Sequence, residues 1–333
     1  MGQKSRKRIH IVTAAALLCV AACVFFGLRL KPYIAYCRSV DVPLCKAADA
    51  FGKPDEATMW AMSTVLAADK GDWQKVKELT KEDRHSTFCS YYHNLANAKL
   101  GSLSDGLLNY YQPFERALFL PVQEGQTPFM IGCASEVWWQ LGAMTQAEHA
   151  AILGMTFSPN HSGERYIRRL AEINLVNGDA AAAAKYTAAM RGRLGSGWQE
   201  KVPLKPAKDT LVLASDYRAV LLNLLDANPA NTMAYEYLLC LDLLTKDIPH
   251  FMEDYMPIGP RSKVYDEVAL AGLAMQGRLD EDAAGAYGID SATAREFFEY
   301  TKLYQQYGGD MAKLQDRFGK TYWFFYHFAK RNE

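Results

Sequence analysis

The chain has 333 residues, half of them hydrophobic and 12% aromatic, a composition that excludes an intrinsically disordered protein. The 37 basic side chains balance 37 acidic ones, so the formal net charge is zero. This balance argues against an electrostatic nucleic-acid binder, which would carry a basic excess. Runs of β-branched residues with period two are nearly absent, and we therefore expect an all-α fold.

The N-terminus has the pattern of a membrane anchor. The basic tail, residues 1–10, contains four cations: Lys4, Arg6, Lys7 and Arg8. An uncharged run follows over residues 11–28, and 18 helical residues at about 1.5 Å each are long enough to cross the hydrocarbon core. Only two basic residues, Arg29 and Lys31, follow this run closely. The positive-inside rule therefore predicts a single-pass protein of the inner (cytoplasmic) membrane, with most of the chain on the periplasmic side.

Two other interpretations of this segment stay open. Residues 20–23 read Val-Ala-Ala-Cys, the pattern of a lipoprotein box, in which Cys23 would carry the lipid. A cleaved secretory signal would also leave small residues at its cleavage site. The chain continues after Cys23 with Val24, Phe25 and Phe26, whereas both alternatives call for polar residues there. The sequence favours an uncleaved signal-anchor, and all three interpretations place the body outside the cytoplasm.

Residues 29–54 are interpreted as a juxtamembrane connector. Cys37 and Cys45 lie in it, and a disulfide between them would close a short loop worth about 2.5 kcal/mol. The alternative is that the cysteines are small buried apolar residues.

From residue 55 onward the sequence repeats an apolar helix, a glycine turn and a second helix. Met59, Met62 and Val65 have helical spacing before Gly71, which favours a left-handed helix end, and Asp72 can cap the next helix. We expect further turns of this kind at Gly101, Gly142, Gly178, Gly277 and Gly308–Gly309, and a glycine-free one at Thr245–Lys246–Asp247.

Three of the intervals between these turns are typical of helical-hairpin repeats: 30 residues from Gly71 to Gly101, 36 from Gly142 to Gly178 and 31 from Gly277 to Gly308. One hairpin cannot bury both of its apolar faces, so neighbouring hairpins stack. We predict a first helical-repeat array over residues 55–192, a linker over 193–210, and a second array over 211–333. A second irregular segment, residues 112–130, is rich in proline and is expected to be either a surface loop or part of a binding face.

Some of these turns resemble degenerate tetratricopeptide repeats. The residues that carry the resemblance are Gly178, Asp179 and Tyr186 around an alanine-rich helix, and Gly101 followed by Gly106 and Tyr110. The resemblance implies a right-handed solenoid of helical hairpins behind the transmembrane helix.

From about Trp60 onward the chain also resembles the C-terminal half of an uncharacterised family of bacterial membrane proteins. The segments that carry this resemblance are Asn94-Leu95-Ala96 with Leu100-Gly101, Asn228-Pro229 with Asn231-Thr232 and Tyr235-Glu236-Tyr237, and Gly319-Lys320-Thr321-Tyr322-Trp323-Phe324. Members typically have several membrane spans ahead of the helical part, whereas this chain has one. The resemblance implies a helical envelope protein and no particular activity.

No motif in the sequence indicates catalysis, a cofactor or a metal. Nucleophile elbows, phosphate-binding loops and zinc-protease helices are missing. His85, Cys89 and His93 are four residues apart, but positions eight apart on a helix are separated by about 12 Å, too far for one zinc ion. We therefore predict no catalytic, cofactor or metal site.

Adjacent aromatic pairs are the main candidates for a partner-binding surface. The pairs are Tyr91–Tyr92, Tyr110–Tyr111 and Trp138–Trp139. Neighbouring helix positions point about 100° apart, so both members of a pair cannot face the same core. Packing between repeats is the favoured explanation. The alternative is that Tyr92, Tyr111, Trp138 and Trp139 contact a protein or peptide.

The C-terminal residues 322–328 are almost all aromatic. Seven residues cannot span a bilayer, so we predict that they cap the array by covering the last hairpin, from Phe297 and Phe298 to Phe318. Docking on a partner or on the membrane interface is the alternative.

The favoured function is a non-catalytic, membrane-anchored scaffold that binds an envelope protein or a peptide. An accessory subunit of a membrane-embedded enzyme handling envelope sugars or lipids is the second hypothesis. An enzyme whose residues converge only in the folded chain is the third.

Overall fold

The computed structural model describes residues 27–122, 126–158, 161–190, 215–255 and 261–331. All regular elements in these ranges are helical, without a strand, which confirms the all-α class there. The basic tail, Cys23 and the predicted linker lie outside the described residues, and so does the predicted span 11–28 apart from residues 27 and 28. In the described ranges no helix is long and apolar enough to cross a membrane.

The helices fall into two groups on either side of residues 191–214. The first group is α1 (Lys31–Ser39), α2 (Leu44–Phe51), α3 (Glu56–Asp69), α4 (Trp73–Leu79), α5 (Thr87–Lys99), α6 (Pro128–Leu141), α7 (Met144–Thr156), α8 (Glu164–Val176) and α9 (Ala180–Ala189). The second group is α10 (Tyr217–Ala227), α11 (Thr232–Thr245), α12 (Ile248–Asp254), α13 (Lys263–Met275), α14 (Glu281–Ala286), α15 (Ser291–Gln306), α16 (Met311–Phe318) and α17 (Tyr322–Phe328). Two 3₁₀ turns, Leu107–Asn109 and Phe114–Ala117, lie between α5 and α6.

The predicted glycine turns are confirmed. Gly71 ends the α3 region with φ +70°, a conformation that costs glycine no steric strain, and Asp72 then accepts a hydrogen bond from the Lys75 amide at 3.1 Å. The other predicted glycines also have positive φ: Gly101, Gly142, Gly178, Gly277, Gly308 and Gly309. Local sequence is therefore enough to place these helix ends.

The glycine-free turn also forms where the sequence predicts it. Lys246 takes the left-handed conformation with φ +62°, which is strained for a residue with a side chain, and Asp247 caps α12. The Lys246 ammonium donates to the carbonyl oxygens of Tyr326 and Ala329, both at 2.7 Å. A glycine could not make these bonds to the end of α17.

Helices that follow one another in the chain pack together, for example α6 with α7 and α8 with α9. Contacts between distant helices occur as well: α1 with α3 and α8, α2 with α6, α5 with α11, and α13 with α17. The buried side chains of both groups form one continuous apolar cluster.

The predicted connector is itself helical and belongs to the core. Tyr33, Tyr36 and Cys37 are buried on one face of α1, and Val40, directly after the helix, is buried as well. Their spacing is that of an amphipathic helix, so they pack against the neighbouring helices. Cys37 is buried and Cys45 exposed, and both thiols are free.

The proline-rich segment between α5 and α6 lies partly in the interior. Phe119 is buried and its ring stacks on Trp138 of α6 at 4.7 Å and on Tyr217 of α10 at 4.5 Å, and it contacts Tyr237 of α11 at 5.6 Å. The neighbouring 3₁₀ turn Phe114–Ala117 also touches both α5 and α11. This segment joins the two groups of helices.

The C-terminal helix packs much as predicted. Trp323 is 2% exposed, and its ring lies 5.1 Å from Phe297. The expected cover over Phe298 is wrong, because that side chain is 54% exposed. Instead α17 reaches α13, where the Trp323 indole nitrogen donates to the Glu267 carbonyl oxygen at 2.9 Å.

Candidate functional site

Three of the four predicted partner-binding residues are buried within the chain. Tyr92 is fully buried and contacts Phe88 at 4.8 Å, and Trp138 lies in the Phe119 stack. Trp139 is 8% exposed and packs under the Arg169 guanidinium, 4.6 Å from the ring. In this conformation these three rings are covered by other residues of the chain. Tyr111 is only partly buried and lines an open cleft.

The cleft lies between the proline-rich segment and the C-terminal aromatic segment, which the sequence patterns indicate separately. It has a volume of about 510 Å³ and is lined by residues 111–116, the C-terminal residues 325 and 329–331, and Thr87. Clefts of about 300–1,000 Å³ are typical of ligand sites. This cleft is the candidate functional site.

Backbone hydrogen bonds fix the position of Tyr111 at the edge of the cleft. Its amide donates to the Asp83 carboxylate at 2.6 Å, and its carbonyl oxygen accepts from the Ser90 hydroxyl at 2.6 Å. The adjacent Gln112 is held by Asn94 of α5, which donates to its side-chain oxygen at 2.9 Å. These bonds hold the backbone in place, and the Tyr111 side chain, whose ring lies 5.5 Å from that of His85, is partly buried.

The floor of the cleft is aromatic and is approached by cations. Phe114 has φ +54°, a conformation rarely taken by a bulky residue, and its ring lies 5.8 Å from that of Phe325. The Lys246 ammonium lies 5.8 Å from the Phe114 ring and 5.6 Å from the Phe325 ring. The Arg331 guanidinium approaches Phe114 at 5.4 Å. Burial lowers the pKa of Lys246.

The rim of the cleft is predominantly basic. Arg116, Lys330 and Arg331 are exposed there, against the single carboxylate of Glu115. Arg331 lies 3.1 Å from that carboxylate. Among the described residues no carboxylate lies within ion-pair distance of Arg116 or Lys330, so the described part of the rim has an excess of positive charge.

The histidine and cysteine cluster of α5 is an internal packing element. The Cys89 sulfur lies 2.8 Å from the Tyr110 hydroxyl, and the His93 ring stacks on Tyr110 at 4.0 Å. Burial raises the pKa of the Cys89 thiol and lowers that of His93. A protonated, buried thiol is a poor nucleophile. His85 precedes α5, and the described residues contain no group of three or more His, Cys, Asp or Glu side chains arranged to hold a metal ion.

Two buried ion pairs were missed by sequence reasoning. Arg165 lies 3.2 Å from Asp69, and Arg169 donates to Glu136 at 2.7 Å. They join α8 to α3 and α6, and removing one partner of such a pair costs about 3–5 kcal/mol. No local sequence pattern indicates these ion pairs, because the two partners of each pair belong to different helices.

Comparison with known proteins gives a family and no activity. No curated protein and no solved structure matches the chain. Residues 4–192 and 196–329 match the model of DUF6057, a family of unknown function. Because the match covers nearly the whole chain, the protein belongs to this family of unknown function.

Proposed function

We propose that the protein is a membrane-anchored, non-catalytic scaffold of the bacterial envelope that binds a segment of another protein. The body is a tetratricopeptide-like solenoid, and the cleft beside Tyr111 is the binding site. The observation that carries this proposal is that the cleft combines an accessible aromatic side chain, a fixed backbone and a basic rim. Repeat folds commonly use such surfaces to bind extended segments.

Placement in the envelope is part of the proposal. It rests on the excess of cations before residues 11–28 and on the length of that uncharged run. A reporter enzyme that is active only outside the cytoplasm, fused after Glu333, should be active. Activity of a cytoplasm-only reporter at the same position would reject this orientation.

The binding role can be tested by filling the cleft without changing its charge. Ala329 lines the cleft, and Ala329→Trp should occupy much of its volume. The full chain and this variant are used to capture partners from membranes in mild detergent. The matched control is Ala188→Trp, at an exposed position of α9.

We expect a defined protein to be captured by the wild type and by Ala188→Trp, and lost with Ala329→Trp. If the captured protein is a membrane-embedded enzyme, the accessory-subunit hypothesis gains support. Equal capture by all three forms would show that the cleft is not the binding site.

A further inference from the structure

We propose that the cleft selects an acidic, aromatic-containing segment of the partner protein, bound in extended conformation. The inference rests on the proposed function and adds the chemistry of the ligand. Its carboxylates would pair with Arg116 and Lys330, and an aromatic side chain would pack against Tyr111 and Phe325.

Charge gives the first argument. The whole chain has a formal net charge of zero, yet three exposed cations and one carboxylate meet at this cleft. Among the described residues, Arg331 is the cation paired with Glu115, and no carboxylate lies within ion-pair distance of Arg116 or Lys330. Concave sites lined by one sign of charge concentrate ligands of the opposite sign.

The aromatic lining gives the second argument. Phe325 and Tyr111 line the cleft and are partly buried, and Phe114 also lines it and is buried. Aromatic side chains contribute contact area at low entropic cost, and a ring on the ligand would pack edge-to-face or offset against them.

A buried carboxylate oxygen of the cleft gives the third argument. Oε2 of Glu115 is buried and lies 3.1 Å from the Arg331 guanidinium in an ion pair, but it accepts no hydrogen bond among the described residues. A buried acceptor without a donor is costly. The backbone N–H groups of an extended peptide are suitable donors for this oxygen.

The test measures binding of a fluorescein-labelled peptide in which glutamate alternates with tyrosine. The full chain is held in phosphatidylcholine nanodiscs, and fluorescence anisotropy gives the Kd. Control peptides carry glutamine or lysine in place of glutamate. The variants are Arg116→Glu and Lys330→Glu, with Lys46→Glu as an exposed control lysine outside the cleft.

We expect each cleft variant to raise the Kd by about fivefold, the upper range for one exposed charge pair. Binding should weaken as salt is raised, and Lys46→Glu should leave it unchanged. Equal binding of the glutamine peptide, or an equal effect of Lys46→Glu, would overturn the inference. So would binding of the wild type, but not of Arg116→Glu, to vesicles of equal parts phosphatidylcholine and phosphatidylglycerol, with no binding of the acidic peptide.

The two proposals fail in different ways. If Ala329→Trp abolishes partner capture while the charge variants leave it intact, the cleft is a binding site that does not select acidic ligands. If Ala329→Trp has no effect, the proposed function itself fails.

Discussion

Glu267 ties the C-terminal helix to α13 through both its side chain and its backbone. Its carboxylate accepts from the Tyr322 amide at 2.6 Å, and its carbonyl oxygen accepts from the Trp323 indole at 2.9 Å. Lys263 is 3.7 Å from the same carboxylate. Burial raises the pKa of Glu267 to about 7.

This raised pKa predicts that Glu267 makes stability depend on pH. Between its ordinary pKa of 4.5 and the folded value of about 7, the folded chain holds a proton that the unfolded chain has released. Stability from this group is therefore complete below pH 4.5 and is lost as pH rises through 7.

Glu267→Gln keeps an oxygen acceptor for Tyr322 and removes the titration. From about pH 5 to about pH 7 the wild type should lose about 2 kcal/mol more unfolding free energy than the variant. Urea unfolding at both pH values measures this. The raised pKa of Asp242, also about 7, acts equally in both proteins. Parallel losses in the two would contradict the assignment.

Lys246 has a strained, left-handed backbone conformation, and its ammonium holds the last turn of α17 through two hydrogen bonds. Lys246→Met keeps the aliphatic stem and the strain but loses two bonds from a charged donor, so we expect a loss of about 2 kcal/mol. Lys246→Gly loses the same bonds but recovers roughly 1 kcal/mol, because glycine takes positive φ freely. In urea unfolding the glycine variant should therefore be the more stable of the two. The reverse order would mean that packing of the aliphatic stem outweighs the backbone strain. A Lys246→Met variant as stable as the wild type would show that the ammonium contributes little.

Helix α1 explains why the body does not begin at residue 55. Its buried face packs against α3 and α8, and the Tyr36 ring contacts Phe51 at 5.3 Å and Phe129 at 5.2 Å. A fragment that begins at residue 29 keeps this helix, whereas one that begins at residue 41 loses it.

We expect the shorter fragment to be less stable by at least about 4 kcal/mol, since each fully buried large side chain contributes about 1.5–3 kcal/mol. Unfolding in urea, followed by far-ultraviolet circular dichroism, compares the two fragments. Coincident curves would show that α1 is dispensable.

The C-terminal helix should behave as part of the core. Trp323 is 2% exposed, and Trp323→Ala should cost about 3–5 kcal/mol. Phe298→Ala is the matched control, because that side chain is 54% exposed and should change stability by less than about 0.5 kcal/mol. An unchanged urea midpoint for Trp323→Ala would show that α17 does not stabilise the fold.

Elements whose structure depends on neighbouring residues could be predicted from the sequence. Elements whose structure depends on residues far apart in the chain could not. The Gly71 and Gly178 turns depend on a single φ angle and an adjacent aspartate. The helical spacing of Tyr33, Tyr36 and Val40 is also visible in the sequence. Because these residues lie beside the predicted membrane span, however, their segment is interpreted as a connector. The ion pair between Arg165 and Asp69 has no local signature at all.

The two groups of helices are joined by the proline-rich segment, residues 112–130. The sequence pattern predicts this segment to be an irregular interruption of the helical repeats. Phe119 contacts the ring of Trp138 from the first group and the rings of Tyr217 and Tyr237 from the second. Asn231 adds a hydrogen bond to the Leu141 carbonyl oxygen at 2.9 Å. The same segment continues into Phe114 and the cleft, so the joint and the candidate site share one loop.

The cleft could be predicted only in parts. The sequence drew attention to residues 112–130, to Tyr111 and to the C-terminal aromatics, each on its own. Arg116 and Lys330 lie more than half the chain apart, and only the folded chain brings them to one rim. Composition could not reveal this rim, because the total charge is balanced.

Photo-crosslinking from position 111 tests most directly whether this cleft binds a partner. A photoreactive amino acid replaces Tyr111 in the full chain in native membranes, and the control replaces Tyr186, also partly buried but away from the cleft. We predict one defined adduct from position 111 that is absent from position 186 and is suppressed by Ala329→Trp. The same adducts from both positions, or none from position 111, would contradict the scaffold account.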